Sequence, residues 1–568
     1  MVSSAIDQAR QGVAAQPTDP AAYAALGWAL IAEDKPQAAI AAWERAIALG
    51  SGDVDIHIHL AQHYQQWANW EAVLAICDRA WPLAPDRTDL FLLGIEAAFQ
   101  LERDHTIIER MASNYEHYRL IPSDGWLRQL SDRWVAAGRA RLVIGLAIAA
   151  LQRDPLLWFF YDTIAYLLQA IDHPRWATDC LNRAIPAEVV REFSPASSVC
   201  EIVSLADPAV QIELIAPVGY AAELPLQPPI GLDATPPAEL QKPIATDWQP
   251  YLAAVTQGRA WGDWFTSAVF SPSGRLLEDL SGYSAALIAS SQTLPPCEGL
   301  SGRVAFLTIA GGTNYFHWML DLLPRFELLQ RSRWGLEGID RFVVFSRSFC
   351  AFQWETLDWL GIPADRTIES ASRPHIQADC LLVPSIARRY GNWLPPRWGC
   401  QFLRDRLGPM GDRAEPAVGR PRLYISRRDA TYRRVANEAE LLAVLEPLGF
   451  QTVVLSDYPL AEQIALFQRA EAIVAPHGAG LLNLVFCRPE TIVVELFSPK
   501  STPGFFWVIA NYQALRYGYL VGADPTELGV SEEQSRAIAN HEDIWVRVAD
   551  VRPLLDRLGS LTHGAIAL

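Results

Sequence analysis

The chain has 568 residues, half of them hydrophobic and 20% charged, with a formal net charge of −17. That length exceeds what one hydrophobic core organises and predicts several domain-sized units, while the composition excludes general disorder. The acidic balance excludes broad nucleic-acid binding and simple electrostatic attachment to anionic lipid, so an anionic ligand must meet locally clustered arginines.

The start, Met1 to Gln16, has no basic segment followed by an apolar core, so no signal peptide is expected there. Pro20, Val54 and Thr88 then align at a constant offset of 34 residues, the tetratricopeptide period. In the first unit Tyr23, Leu26, Gly27, Ala39, Trp43 and Ala46 fall where that repeat places its large and small packing residues. Leu60, Ala61, Tyr64, Ala80 and Pro85 do so in the second, with Trp67 and Trp70 nearby. After a degenerate third unit and a two-residue slip, further copies begin near Asp124 and Trp158, the last with Ala165, Ala177 and Ala184 at the small positions. Small side chains there let paired helices approach, and stacked pairs bury a continuous core that one pair cannot make. Residues 1–187 therefore resemble a tetratricopeptide α-solenoid of roughly five repeats, preferred over an irregular helical bundle because the period is preserved.

Residues 188–251 read as a Pro-rich linker or docking segment, with Pro195, Pro208, Pro217, Pro225, Pro228, Pro229, Pro236, Pro237, Pro243 and Pro250 interrupting any long helix. Trp261 and Trp264 open an α/β region. Strands are expected at 304–309, 342–345 and 380–383, with helices at 316–330 and 350–360. A sharper alternation follows, with strands at 423–425, 452–455, 472–474 and 491–497 and helices at 437–448 and 460–469. The tail predicts a helix over 531–540, a strand over 544–548 and a final helix over 551–558. Such alternation builds parallel sheet covered on both faces, with ligands at the carboxyl ends of the strands.

Three clusters in this region carry chemistry. The first runs from Gly311 through Asn314, His317 and Asp321 to Arg325. His317 and Asp321 share one helix face and can project together into a cleft, with Arg325 a further turn along; a surface ion pair beside a capping histidine is the alternative. The second is Ser426, Arg427 and Arg428, followed by Arg433 and Arg434. Arginines just beyond a strand suit phosphate oxygens, although Arg433 and Arg434 fit a solvated basic loop equally well. The third is His477-Gly478-Ala479-Gly480 with Asn483, between two strand-like runs, and Glu495 behind it. Its glycines let the backbone approach a ligand, and a helix starting there aims N–H groups at an anion; any strand-to-helix turn uses glycines too. His477 could donate to a diphosphate, and Glu495 could accept from ribose hydroxyls or merely end its strand. No HExxH or paired-cysteine spacing occurs, so no metal site is expected.

His-Trp-x-x-Asp-x-x-Pro-Arg, Ser-Arg-Arg and His-Gly-Ala-Gly-Leu-x-Asn, in this order, resemble glycosyltransferase family 61 over roughly Trp261 to Val551. Leu482 departs from the pattern, since many members carry threonine there. The resemblance implies a GT-B architecture of two Rossmann-like lobes, here 252–415 on the acceptor side and 416–568 for the nucleotide-sugar, and transfer with inversion. Such transfer needs a base for the acceptor hydroxyl, either Asp321 or His317, with Asn314 and Arg325 in support. Ser426, Arg427, Arg428, His477, the 478–480 backbone, Asn483 and Glu495 would hold the donor nucleotide. No tightly bound cofactor and no metal is expected.

The expected activity is transfer of a sugar to a glycan or protein hydroxyl, in polysaccharide or surface-glycan synthesis. The alternative is a non-catalytic repeat scaffold carrying a degenerate transferase. The repeat groove suits a protein partner. The eight scattered cysteines read as reduced thiols, and no window is as long and apolar as the roughly 20 residues needed to span a bilayer. A cytoplasmic protein, or one peripheral to a membrane, is expected.

Overall fold

The computed structural model describes residues 5–84, 87–118, 124–153, 157, 159–181, 185–193, 202–216, 226–232, 235–241, 249–263, 266–282, 285–289, 291, 294–386, 394–414, 421–430, 432–499, 501–524 and 543–559. Pro85, Trp158, Ala184, Cys200, Trp264, Pro195, Pro217, Pro225, Pro243 and the helix expected over 531–540 lie outside the described residues. The chain forms two compact units, Met1–Val199 with Ala286–Leu294, and Cys200–Ala285 with Pro295–Leu568.

The first unit is helical, and its helices come in pairs. They are Pro20–Ala32 with Pro36–Ala48, Val54–Gln66 with Trp70–Ala80, Thr88–Gln100 with Asp104–Tyr118, Asp124–Ala136 with Ala140–Arg153, and Phe159–Ala170 with Pro174–Leu181. Asp19, Asp53 and Asn69 cap the helices that follow them, and Pro20, Pro36 and Pro174 stand at first helical positions where no N–H is needed. Within each pair the chain turns through one left-handed residue, in order Asp34, Ala68, Glu102, Gly138 and Asp172. These lie 34, 34, 36 and 34 apart, so the period and its two-residue slip are both written in the backbone. After each turn the next N–H reaches back five residues to a helix carbonyl, as Lys35 to Leu30, Asn69 to Tyr64, Arg103 to Ala98, Arg139 to Trp134 and His173 to Leu168.

The small positions do what the period requires. A Cβ on Gly27 would lie 2.2 Å from Trp43 Nε1, so only glycine lets these two helices meet over the indole. Ala39, Trp43, Ala46, Ala61 and Ala80 are fully buried. Ion pairs tie successive pairs together at a shared offset of 32 residues: Arg87 to Asp55, Arg103 to Glu71 and Arg110 to Asp78. The unit is thus a helical stretch resembling a tetratricopeptide-type solenoid.

The second unit contains two sheets. The first comprises β1 (Ile202–Val203), β2 (Val210–Leu214), β3 (Tyr251–Thr256), β4 (Arg259–Gly262), β5 (Ser267–Phe270), β6 (Leu276–Leu277), β7 (Glu298–Phe306), β8 (Arg341–Val344), β9 (Thr367–Glu369) and β10 (His375–Pro384). Its parallel core runs β10-β7-β8-β9, and β3 and β4 join the other edge of β10 antiparallel. The second sheet comprises β11 (Arg422–Ser426), β12 (Phe450–Val454), β13 (Ala472–Pro476), β14 (Ile492–Phe497) and β15 (Arg516–Val521), all parallel, in the order β12-β11-β13-β14-β15. Every residue of β13 and β14 is buried, as expected of central parallel strands covered on both faces. One apolar core runs through both halves, with Leu307, Trp318 and Leu320 from the first and Leu423, Ile473, Leu481 and Phe506 from the second.

Two expected elements differ. The helix expected over 316–330 is broken into Tyr315–His317, a π-turn over Trp318–Leu322, and Arg325–Arg331. Pro324 cannot donate within a helix, and the wider turn closes through Leu323 N–H to Trp318 O at 3.0 Å. The strand expected over 544–548 reduces to a single bridge between Ile544 and Val435, followed by a 3₁₀ turn at Val548–Asp550.

Candidate functional site

In the second sheet the chain leaves β11 for β12 on one side, then crosses back to β13 on the other. Loops leaving β11 and β13 therefore diverge and open a crevice at the carboxyl edge, where open α/β sheets bind ligands. Ser426 ends β11 and Pro476 ends β13, which puts Arg427, Arg428, His477 and Gly478 at that edge. Gly478 is extended, with φ 179°, so space rather than conformation demands glycine: a Cβ there would lie 2.3 Å from Arg427 Nη1. A Cβ on Gly480 would lie 2.5 Å from Leu455 Cδ1. This corrects the expectation that both glycines make room for a ligand, because protein side chains take up the space they leave. Ala479 opens a 3₁₀ turn, Ala479–Phe486, in place of the expected short helix.

Two guanidinium groups converge on one ring at this edge. Arg427 and Arg433 lie 5.6 Å and 5.5 Å from the centroid of Tyr432, and Arg427 Nη2 donates to Tyr432 O at 3.2 Å. Arg427 Nε is buried without a hydrogen-bond partner among the described residues. Burial pulls both guanidinium groups below their ordinary range, and Arg427 adds its repulsion at Arg433; both stay charged at neutral pH. Arg428 is exposed, and Arg434 is committed to Asp543 at 2.8 Å. The half-buried cationic pair is thus Arg427 with Arg433. Ser426 Oγ donates to Glu438 at 2.7 Å and accepts from Arg428 N–H at 3.3 Å, so it shapes the loop.

His477 and Glu495 form a buried pair, Nδ1 to Oε1, at 2.5 Å. The other carboxylate oxygen accepts from Tyr517 Oη, also at 2.5 Å. Glu495 is 0% exposed, which corrects the expectation that it meets ribose hydroxyls: its oxygens face His477 and Tyr517 inside the sheet. Burial holds His477 below its ordinary value of 6.5, helped by Arg433 and Arg427 and opposed by Glu495. That direction favours the neutral ring, and with Glu495 as the partner of Nδ1 the proton sits there and Nε2 offers a lone pair. In that form Nε2 accepts, and the donation to a diphosphate expected from the sequence requires the protonated ring. The ring packs on Phe497, centroids 5.5 Å apart, and near Phe506 at 5.2 Å.

The first sheet repeats this plan. From β7 the chain goes to β8 and β9 on one side and returns to β10 on the other, and the His317 segment follows β7 at that crossover. Asn314 caps the segment, accepting from Phe316 N–H at 2.9 Å. His317 Nδ1 lies 2.8 Å from Asp321 Oδ2, one turn on as the spacing predicts. His317 is the more open partner, with its side chain 35% exposed against 9% for Asp321. Gly311 has φ 68°, and a Cβ there would lie 3.0 Å from the imidazole. Arg325 does not extend the pair toward solvent. It is buried, and its guanidinium donates to the carbonyls of Phe306, Leu307 and Pro384 at 2.7–3.1 Å, clamping the carboxyl ends of β7 and β10.

The two edges meet through Asn483 and through aromatic residues the sequence reading did not single out. Tyr315 Oη donates to Asn483 Oδ1 at 2.6 Å, and Asn483 Nδ2 reaches Gln463 at 3.4 Å. Asn483, expected at the nucleotide, is fully buried and joins the two halves instead. Phe316 packs on Phe505 and Phe506, centroids 5.6 Å and 5.9 Å away, and Phe506 continues to His477. Tyr432, an aromatic residue inside an arginine-rich loop, was visible as a pattern. Tyr517 and Tyr315 were not, because cross-strand and cross-sheet neighbours leave no local signal. Among the described residues no group of three or more His, Cys, Asp or Glu is placed to hold a metal ion, and no helix is long and apolar enough to cross a membrane.

Comparison with known proteins converges on the same segments. Residues 315–494 match the family model described as Glycosyltransferase 61. The beta-1,2-xylosyltransferase XAX1 of Oryza sativa subsp. japonica is 32% identical over 161 residues, 26% of this chain and 28% of that protein. The EGF domain-specific O-linked N-acetylglucosamine transferase of Gallus gallus is 30% identical over 218 residues, 34% of this chain and 39% of that protein. The beta-1,2-xylosyltransferase XYXT1 of Oryza sativa subsp. japonica is 24% identical over 300 residues, 46% of this chain and 62% of that protein. Each alignment thus spans less than two thirds of the relative. Among solved structures, YrrB, a TPR protein with an unusual peptide-binding site, is 13% identical over 33% of this chain and 93% of its own, with a TM-score of 0.22, too low to bear on the fold. His317, Asp321, Arg427, Arg433 and His477, from both crevice edges, fall inside that match, which supports a glycosyltransferase 61 domain over residues 315–494.

Proposed function

We propose that the second unit is an inverting glycosyltransferase of GT-B type, taking a nucleotide-sugar at the β11/β13 edge and an acceptor hydroxyl at the β7 edge. The observation that carries this reading is the pairing of two histidine–carboxylate dyads, one at the crossover in the parallel core of the first sheet and one at that of the second, the latter beside a half-buried arginine pair. His317 is the base. Its Nδ1 proton is held by Asp321, which leaves Nε2 to take the proton of the acceptor hydroxyl. The hydroxyl oxygen then attacks the anomeric carbon as the bond to the diphosphate breaks. The departing electron pair settles on the diphosphate, where Arg427 and Arg433 balance the charge. His477 Nε2, an acceptor, suits a sugar or ribose hydroxyl. No step draws on a metal, so turnover should survive a chelator.

The repeat-like first unit serves, in this reading, as a tetratricopeptide surface for a protein partner, and the biological role is polysaccharide or surface-glycan assembly. A screen of UDP-, GDP- and CMP-sugars, read by release of UDP, GDP or CMP and by the anomeric configuration of the product, tests the enzyme reading. Release that depends on His317 with an inverted product supports it. Tight nucleotide-sugar binding without any turnover would favour a scaffold instead.

A further inference from the structure

Among the described residues of the second unit, the exposed Phe and Trp side chains are Phe349, 58% exposed, and Trp354, 47% exposed. Both belong to the segment that leaves the carboxyl end of β8 and enters the helix Ala351–Trp359. Three contacts lash that segment to the loop carrying His317. Gln353 Nε2 donates to Gly312 O at 3.0 Å, Cys350 Sγ lies 3.9 Å from Thr313 O, and Phe352 meets Tyr315 edge to face at 5.4 Å. Trp318, inside the π-turn between His317 and Asp321, donates to Thr356 of the same helix at 2.9 Å. The segment that carries the two exposed rings is therefore fastened to the base-bearing loop.

The surroundings of Phe349 are polar. Ser346 Oγ donates to Glu369 at 2.8 Å and accepts from the N–H of Phe349, and exposed Ser348 lies 3.5 Å from the other oxygen of Glu369. Glu369 closes β9, two strands from β7, which is about 10 Å at the usual spacing. An exposed ring at Phe349 beside hydroxyls and a carboxylate, with a second exposed ring at Trp354 in the helix that follows, suits a sugar chain. A pyranose presents C–H groups on one face and hydroxyls at its rim, and a short oligosaccharide has the length. A protein partner would call for a contiguous apolar patch with few charges at its centre.

We infer that Phe349 and Trp354 form an acceptor platform on which rings of a saccharide chain stack, with Glu369 and Ser348 taking rim hydroxyls, so that the growing end reaches His317. This rests on the transferase reading and names its acceptor class as a glycan. The test titrates the full chain by calorimetry with cellohexaose, xylohexaose, chitohexaose and maltohexaose, and on the same samples with the nucleotide-sugars. At least one oligosaccharide should bind, Phe349→Ala and Trp354→Ala should each weaken it roughly fivefold or more, and Trp354→Tyr should restore it. Nucleotide-sugar affinity and melting temperature should stay as in the parent chain, because both rings are exposed. Binding of none of the four, binding unchanged in both alanine variants, or a serine/threonine peptide that binds through the same two rings overturns the platform. Loss of nucleotide-sugar binding in the parent chain would instead sink the transferase reading, whatever the saccharides do.

Discussion

Glu495 sits wholly inside the sheet between His477 and Tyr517, so each partner carries a measurable consequence. Tyr517→Phe leaves a buried carboxylate oxygen without its donor and should cost about 2 kcal/mol, read by chemical denaturation. His477 carries a pH signature. Its folded pKa lies below the ordinary 6.5, so between the two values the unfolded chain binds more protons than the folded one. The stability tied to this ring is fully present above 6.5 and is lost as pH falls below it toward the folded value. Replacing His477 with Asn should flatten the stability profile as pH falls below 6.5; an unchanged slope would contradict a neutral buried ring. Arg325→Met strips three carbonyls of their donor and should destabilise the second unit by about 3 kcal/mol.

At the scale of elements, the glycine turn and the arginine loop act as one piece. Because Gly478 is extended, alanine is tolerated by the backbone, yet its Cβ would strike Arg427. Gly478→Ala should therefore weaken nucleotide binding roughly as much as Arg427→Ala while leaving the melting temperature nearly unchanged, and the double variant should add little. The sequence exposed much of this. Strand and helix alternation from Arg422 onward and the His317/Asp321 spacing were both legible because they depend on local period. Charge clustering drew attention to Arg427, but which arginine joins it was hidden, since Arg433 is selected by the left-handed turn that folds it back over Tyr432. The roles of Glu495 and Asn483 were hidden for a related reason: their partners Tyr517 and Tyr315 are set by register and by the meeting of two sheets.

For the whole molecule, the repeat period gave the helical unit down to its slip, because each turn is a local backbone event repeated in chain order. Gly27→Ala forces a Cβ into the Trp43 ring and should cost about 1–3 kcal/mol in that unit, with nucleotide affinity unchanged. The short strands β1 to β6, antiparallel except where β1 meets β6, were not foreseen, as short strands among prolines carry little periodicity. The claim on which the rest depends is that the β11/β13 edge holds a nucleoside diphosphate through Arg427. Calorimetric titration of the chain and of Arg427→Ala with UDP, GDP and CDP tests it most directly. We predict saturable binding of at least one, weakened about tenfold or more in the variant; no binding of any, or equal binding by both proteins, would contradict it.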